Sequence, residues 1–342
     1  MKKNIFFAVA FAALAFVACN KEENGKVAFN ISGEKYENID KQGFRNGRLY
    51  FTAGDEALVN GEASELVILS ESAARLWVNA NNNNGFLVGY PASSITCDAS
   101  GNYKTTFKNN ITLVPANSST TTVMTDEAHQ VWPMSNFAAN VEEGANFKLY
   151  NNVAVLSPTV KYGYQFVNAM WGANGVDPIA GFVLDEANLP DLYITKVVLS
   201  SNDIRLTGSA TLQNCNYLYN PDEDMDNNYG PYYKMDAAPI QGDEIVCNVV
   251  PAYHVEPTDA SSTAINIQTF GHIAVAPCTV PNKNLTVSYY LKAIVDGVEH
   301  NYKYTAEITT GAQFRWKRST SNSLIANFHS PGANLGSRIT IL

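Results

Sequence analysis

Two alternating runs joined by Asp296-Gly297 constrain the fold of this chain more than any other feature of its sequence. In LKAIVDGVEHNYKYTAEITT, apolar residues recur at every second position on both sides of the Asp-Gly pair. That dipeptide is the chemistry a type I′ turn demands, so the stretch reads as a β-hairpin. The same period of two recurs along the chain. GRLYFTAG, with Leu49 and Phe51 on one face, is followed by ELVIL, RLWVNA, GFLVGYPA, NYKTTF and NITLVPAN, to about residue 117. FKLYNNVAVL, LYITKVVLSS, IRLTGSATL, EIVCNVVPAYHV and AINIQTF continue it with longer strands. Asn and Gly punctuate these runs, as in NNNNG at 81–85, because both tolerate left-handed dihedrals. Residues 118–147 are less regular and hold at most one short helical turn. No stretch keeps a 3.6-residue period over three turns. The sequence therefore predicts an all-β protein of two β-sandwich domains, 26–143 and 144–342, with the boundary near Glu143-Gly144.

The first residues obey a different grammar. Lys2 and Lys3 precede a run from Ile5 to Ala18 without a charge. That run is shorter than the roughly 20 apolar residues a bilayer core requires. A positive start, a short apolar core and small residues at its end read as a secretory signal, residues 1–18. Phe16-Val17-Ala18-Cys19 resembles the lipobox of bacterial lipoproteins, with Phe16 where Leu is commoner. Cys19 is then the acylated residue. Each buried acyl methylene contributes about 0.8 kcal/mol, so several chains anchor a protein without a transmembrane helix. An ordinary signal with an incidental cysteine is the plainer alternative. Residues 19–25 form a tether, and Lys21-Glu22-Glu23 resembles the tag that directs some Gram-negative lipoproteins to the outer face of the outer membrane.

Removing Lys2 and Lys3 takes the formal charge from −9 to −11. An acidic chain lacks the clustered Lys and Arg that phosphate backbones require, so nucleic acid is not an expected partner. Charged residues make up 16% of the chain, well under the usual quarter, and 18 tyrosines with many Thr, Ser and Asn supply polarity instead. Such residues build exposed sheet faces. Past Cys19 there are four cysteines, Cys97, Cys215, Cys247 and Cys278, none in a CxxC. Four cysteines allow three pairings, and buried free thiols fit equally well.

No nucleophile elbow, HExxH, P-loop or dinucleotide fingerprint occurs. The five histidines, at 129, 254, 272, 300 and 329, stand far apart, each more readily a strand or loop residue than a ligand or base. The chain is expected to be a non-enzyme without a cofactor. One stretch suggests a ligand. NPDEDMDNNYGPYY sets Asp222, Asp224, Asp226 and Asn228 at alternate positions, the spacing of calcium loops. Gly230 comes too late and no Glu stands twelve residues on, so a solvated acidic loop is the plainer reading. Tyr217, Tyr219, Tyr229, Tyr232 and Tyr233 around it could stack on sugars or cap a sheet edge.

NGFLVGYPA, then WPMSNF, then FKLYNNVAVL, and finally Ile194, Val197, Leu199 and Ser200 followed by Leu206 and Gly208 appear in an order that resembles the fimbrillin family over roughly residues 50–215. These are subunits of type V pili and related surface lipoproteins. The resemblance implies two transthyretin-like Greek-key β-sandwich domains, with assembly into a fimbrium at the outer membrane by strand exchange. It implies a trypsin-like protease that cuts after Arg45 or Arg48 and releases the first strand, KVAFNIS at 26–32. Other pilus subunits are then the partners, one of them filling the vacated groove. SRITIL, with Ile339 and Ile341 on one face, would be a donor strand or a plain final strand. A glycan-binding surface lipoprotein of a polysaccharide-uptake system is the alternative, with the 217–233 tyrosines as its candidate surface.

Overall fold

The structure is a computed structural model. It describes residues 26–33, 51–70, 72–79, 85–113, 115, 133–138, 146–162, 191–213, 230–255, 266–281, 284–295, 297–308, 315–316, 318, 321–327 and 338–341. Among these residues the protein is built of β-strands, with one short 3-10 turn at Ala92–Ser94. In chain order the strands begin with β1 (Lys26–Gly33), β2 (Glu56–Val59), β3 (Glu62–Glu65), β4 (Val67–Ser70), β5 (Ala73–Asn79), β6 (Phe86–Tyr90), β7 (Thr96–Cys97) and β8 (Tyr103–Phe107). Next come β9 (Asn110–Leu113), β10 (Met134–Ala138), β11 (Asn146–Asn151), β12 (Ala154–Tyr162), β13 (Asp191–Ser201), β14 (Gly208–Gln213), β15 (Tyr232–Met235) and β16 (Asp243–Val255). The last are β17 (Asn266–Thr269), β18 (Ile273–Val275), β19 (Cys278–Thr279), β20 (Leu285–Val295), β21 (Val298–Ile308), β22 (Arg315–Trp316), β23 (Ser321–Asn327) and β24 (Arg338–Ile341).

The first layer is one sheet in the order β3-β2-β6-β10-β11-β1-β5-β4. Its two outer strands, β3 and β4, are separated in the chain by Leu66 alone. The sheet therefore curls until its edges meet, and Ser64 of β3 donates its hydroxyl to the Trp77 carbonyl of β5 at 3.2 Å. Phe29, Ile31, Leu76, Val88, Tyr90, Phe147 and Leu149 fill the interior. A second sandwich packs β12, flanked by β17, β18 and β23, against a six-stranded sheet, β24-β21-β20-β13-β16-β9. Its core takes Leu156, Ile194, Leu199, Ile245, Tyr289, Tyr304 and Trp316.

The hairpin read from Asp296-Gly297 is β20–β21. It pairs from Leu285↔Ile308 to Val295↔Val298 with Gly297 at φ 78°, a value glycine reaches without a Cβ penalty.

A third sheet joins the two sandwiches. In β15-β14-β8-β7, two strands from the second half of the chain lie beside two from the first, with Gly208↔Phe107 through Thr211↔Lys104 as the crossing register. Its core takes Leu58 and Leu87 from one sandwich, Val153, Val155 and Ala274 from the other, and its own Ile95, Tyr103, Phe107, Leu212 and Tyr233. Strands β6 and β12 are thus buried on both faces, so β6 and the opening Ala154-Val155-Leu156 of β12 read as continuous apolar runs instead of alternating ones. At Gly89 a Cβ would lie 2.8 Å from both Ile95 and the Tyr103 ring, so only glycine lets β6 and this sheet approach. The Tyr103 hydroxyl accepts the Gly61 N–H at 3.1 Å and donates to the Leu87 carbonyl at 2.8 Å.

The expected boundary at Glu143-Gly144 lies outside the described residues. Strand β11, just after it, pairs with β1 and β10 of the first sandwich, whereas β9, before it, pairs in parallel with β16 of the second. FKLYNNVAVL, read as one strand, is two: β11 and β12 enter different sheets on either side of Asn152 and Val153. MSNFA, read as irregular, is β10, a central strand paired with β6 over five residues. IRLTGSATL becomes a corner followed by β14.

Candidate functional site: the first strand and the groove it fills

Strand β1 lies between two neighbours. It runs antiparallel to β5 from Lys26↔Asn79 to Ser32↔Ala73, and parallel to β11 from Asn30↔Asn146 to Gly33↔Leu149. Its pattern is half-buried. Ala28, Phe29 and Ile31 are buried, while Lys26 is exposed and Asn30 and Ser32 are intermediate. Phe29 is 0% exposed and sits 5.5 Å from the Phe147 ring and 6.3 Å from the Phe86 ring, centroid to centroid. Asn30, on the other face, accepts a hydrogen bond from Arg75 Nε at 3.1 Å. Without β1, the edges of both β5 and β11 would stand unpaired on either side of an apolar slot. An open edge above apolar side chains is a template for another strand.

The residues expected to act on this strand fall elsewhere. Cys19, Arg45 and Arg48 lie outside the described residues. The candidate donor does not: β24 is an outer strand of the six-stranded sheet, antiparallel to β21 from Tyr302↔Ile341 to Thr305↔Arg338. The chain's last strand thus occupies its own sheet edge.

Asp222, Asp224, Asp226 and Asn228 also lie outside the described residues, and among those described no cluster of His, Cys, Asp or Glu could hold a metal ion. Of the five tyrosines proposed as a sugar surface, Tyr233 is 0% exposed in the core of the joining sheet and cannot stack on a ligand; Tyr232 is intermediate, and the other three are outside the described residues. Alternation explains the split, since successive strand residues face opposite sides.

Cys97, Cys247 and Cys278 are free thiols, so none of the three pairings is formed among the described cysteines; Cys215 lies outside them. Burial pushes the Cys278 thiol up to about 12 and the Cys247 thiol higher still. Thiols held neutral in this way are poor nucleophiles. His254 stacks on Tyr193 at 4.9 Å, and His272 Nδ1 lies 2.7 Å from Ser157 Oγ. Ser157 is 3% exposed, which closes its oxygen to a substrate. His300 is on β21; His129 and His329 are outside the described residues.

Two motifs of the fimbrillin resemblance prove to be packing devices. In GFLVGYPA, Tyr90 is buried, donates its hydroxyl to Asp55 Oδ2 at 2.6 Å and meets the Phe51 ring edge-on at 5.0 Å. Burial, reinforced by the Asp55 carboxylate, raises its phenol far above the ordinary value. The Leu206-Thr207-Gly208 corner is held by Asp243, which the sequence reading missed. Its carboxylate accepts the Leu206 N–H at 2.7 Å, the Thr207 N–H at 3.2 Å and the Thr207 hydroxyl at 2.6 Å, with Arg205 Nε at 3.5 Å. A carboxylate 4% exposed is stable there only because each of these donors is aimed at it.

No family model matches the chain, and no curated protein does. Solved structures similar to it include a candidate cell adhesion protein from Bacteroides ovatus ATCC 8483, at 12% identity and TM-score 0.39, covering 92% of this chain and 95% of that one. A second, from Parabacteroides distasonis ATCC 8503, has 10% identity and TM-score 0.39, covering 93% and 96%. A third, from Bacteroides eggerthii DSM 20697, has 10% identity and TM-score 0.36, covering 93% and 95%. Both are likewise candidate cell adhesion proteins. Likeness at this level fixes neither the fold nor the function of this chain.

Proposed function

We propose that this chain is an adhesive surface lipoprotein of the fimbrillin type, exported on its signal, acylated at Cys19 and anchored in the outer membrane. Its two sandwiches are the transthyretin-like units of that family. A trypsin-like protease cuts after Arg45 or Arg48, β1 leaves, and a strand from another subunit replaces it.

One observation carries the reading. The first described strand occupies a slot between two other strands, sends Phe29 and Ile31 into a single core with only the small Ala28 buried on its other face, and is followed in sequence by the segment that contains both arginines. Cutting there would leave β1 held by its ladders and by Ala28, Phe29 and Ile31 alone. The exchanged form would recover from a donor the hydrogen bonds and burial that β1 supplied, so it should resist heat and detergent better than the cleaved monomer with an empty groove.

Limited trypsin digestion of the purified protein, followed by unheated gel electrophoresis, tests this. The expected result is a first cut after Arg45 or Arg48 and a ladder of oligomers. A first cut elsewhere, or a nicked protein that stays monomeric at high concentration, overturns it. The anchor is tested separately: Cys19→Ala should abolish incorporation of labelled palmitate and membrane retention.

A further inference from the structure

The outer face of the six-stranded sheet carries a row of residues that the packing of the fold does not require. Strand β13 has one extra residue, Thr195. Ile194 faces Tyr253 and Leu291, yet Lys196 faces Asn248 and Tyr290, so both neighbouring ladders skip Thr195. Without that bulge, Lys196 would share the parity of Leu192 and Ile194, which are 2% and 0% exposed, and would point into the core. The bulge re-aims it to the outer face. On β16 the same irregularity leaves Val249–Ala252 opposite Thr195 alone, and Val250, Pro251 and Ala252 are exposed beside it.

The re-aimed lysine lands on an aromatic ring. Lys196 Nζ lies 3.8 Å from the centroid of Tyr290, and Lys303 Nζ, from the next strand, lies 5.5 Å from it. The three residues are consecutive across β13, β20 and β21. Two other sheet lysines meet carboxylates, Lys292 at 2.8 Å from Glu299 and Lys104 at 3.5 Å from Asp236, while Lys148 lies 5.3 Å from the Tyr150 centroid. Lys196 and Lys303 form no ion pair with a described carboxylate. Two ammonium groups gathered on one ring repel each other, and an anion between them removes that repulsion. The ring holds both in place through its quadrupole.

The surroundings indicate what bears the anion. Asn248 donates to Asn110 Oδ1 at 2.9 Å, and the Ser288 and Thr305 hydroxyls are 3.1 Å apart, so neutral amides and hydroxyls flank the lysines. Beyond the bulge stands the Tyr193–His254 stack. Neutral hydrogen-bonding groups with aromatic faces suit a sugar ring, which offers hydroxyls at its rim and C–H groups on its face. Two lysines on a chain of net charge −9 are too few to hold a nucleic acid backbone.

We propose that this face binds an anionic polysaccharide, with Lys196 and Lys303 taking its carboxylate or sulfate group beside Tyr290. The site stands apart from the β1 groove, and intact and cleaved protein carry it alike.

Affinity gel electrophoresis of the purified full-length protein in neutral detergent tests it, with polygalacturonate, dextran sulfate, neutral dextran or polyglutamate in the gel. Retardation by polygalacturonate, dextran sulfate or both is expected, with none by neutral dextran; whichever acts names the acidic group. Lys196→Gln and Lys303→Gln should each weaken retardation about five- to tenfold at low ionic strength, without moving the melting temperature. Lys104→Gln, the same charge change on another sheet, should not weaken it. The proposal is overturned if neither anionic polysaccharide retards the protein, or if the two variants behave as wild type. It is also overturned if Lys104→Gln weakens retardation as much, or if polyglutamate retards as strongly, which would assign the face to an acidic protein segment.

Discussion

Strands β1 and β12 hold equivalent places in the two sandwiches, yet the chain buries them differently. Each is the first strand of its own sheet among the described residues, and each runs parallel to a late strand, β1 to β11 and β12 to β23. Each is antiparallel to its other neighbours, β5 for one and β17 and β18 for the other. The side chains part ways. β1 feeds one core, through Phe29 and Ile31; its opposite face buries only the small Ala28, and Asn30 there accepts a hydrogen bond from Arg75. β12 buries both faces: Leu156 and Val160 enter the second core, while Val155 enters the core of the joining sheet. Equivalent topology thus gives one strand that would open a single core on leaving, and one whose loss would open two.

A charge placed on the back of each strand should separate them most sharply. Val155→Asp puts an unpaired carboxylate among Leu212, Tyr233 and Ala274, at a cost of several kcal/mol, and should leave no folded protein. Asn30→Asp keeps the oxygen that Arg75 uses and should stay within about 0.5 kcal/mol of wild type. Urea unfolding of the two variants makes the comparison, and equal damage would erase it.

Phe29→Ala sharpens the same contrast through assembly. It should destabilise the intact protein by about 3–5 kcal/mol, because the ring is buried against Phe86 and Phe147. If a donor replaces β1, the assembled form no longer contains Phe29, and its dissociation temperature should match wild type. A weaker polymer would mean that β1 stays.

The corner at Asp243 has a less buried counterpart in the first sandwich, where Asp55 accepts the Thr52 N–H, the Thr52 hydroxyl and the Tyr90 hydroxyl. Asp243→Ala strips a partner from two N–H groups and a hydroxyl and should cost about 3 kcal/mol. Thr207→Val, which removes one of those donors, should cost less; denaturation midpoints decide the order.

The smallest effect expected is electrostatic. On the joining sheet, hydrogen bonds from Thr211 and Ser209, with help from Lys104, lower the Asp236 carboxyl below its ordinary 3.8, against a partial burial that opposes them. A depressed folded-state value contributes stability that is present above pH 3.8 and is lost as pH falls through the folded-state value. The melting-temperature gap between wild type and Asp236→Asn should be small at pH 7 and should close further in acid.

Much of this architecture was legible because it is local. Asp296-Gly297 declared its hairpin, and the continuous runs FLVGY and AVL mark the strands buried on both faces. What stayed hidden depends on partners far away in sequence. β10 carries Ser135 and Asn136 within five residues and looks irregular until β6 and β11 complete it on either side. The pairing of β8 with β14 joins residues about a hundred positions apart, and no periodicity announces it. Lys196, Tyr290 and Lys303 form a row only once three strands are in register. Asp243 resembles any strand-opening Asp until the Leu206 corner folds onto it. The tyrosine pair failed for a simpler reason: Tyr232 and Tyr233 are neighbours on a strand and so face opposite ways.

The parallel pairing of first and late strands has a mechanical meaning. Tension drawn through the chain pulls β1 backward from its leading end and β11 forward from its trailing end. Two parallel neighbours loaded in this way slide along each other, so their cross-strand bonds share the force and fail together, not one after another as in a hairpin pulled apart at its open end. The β1–β11 register spans four residue pairs and the β12–β23 register seven. Under load the first sandwich should therefore yield before the second, and an extended stretch of its chain would take up the strain before the rest of the molecule feels it.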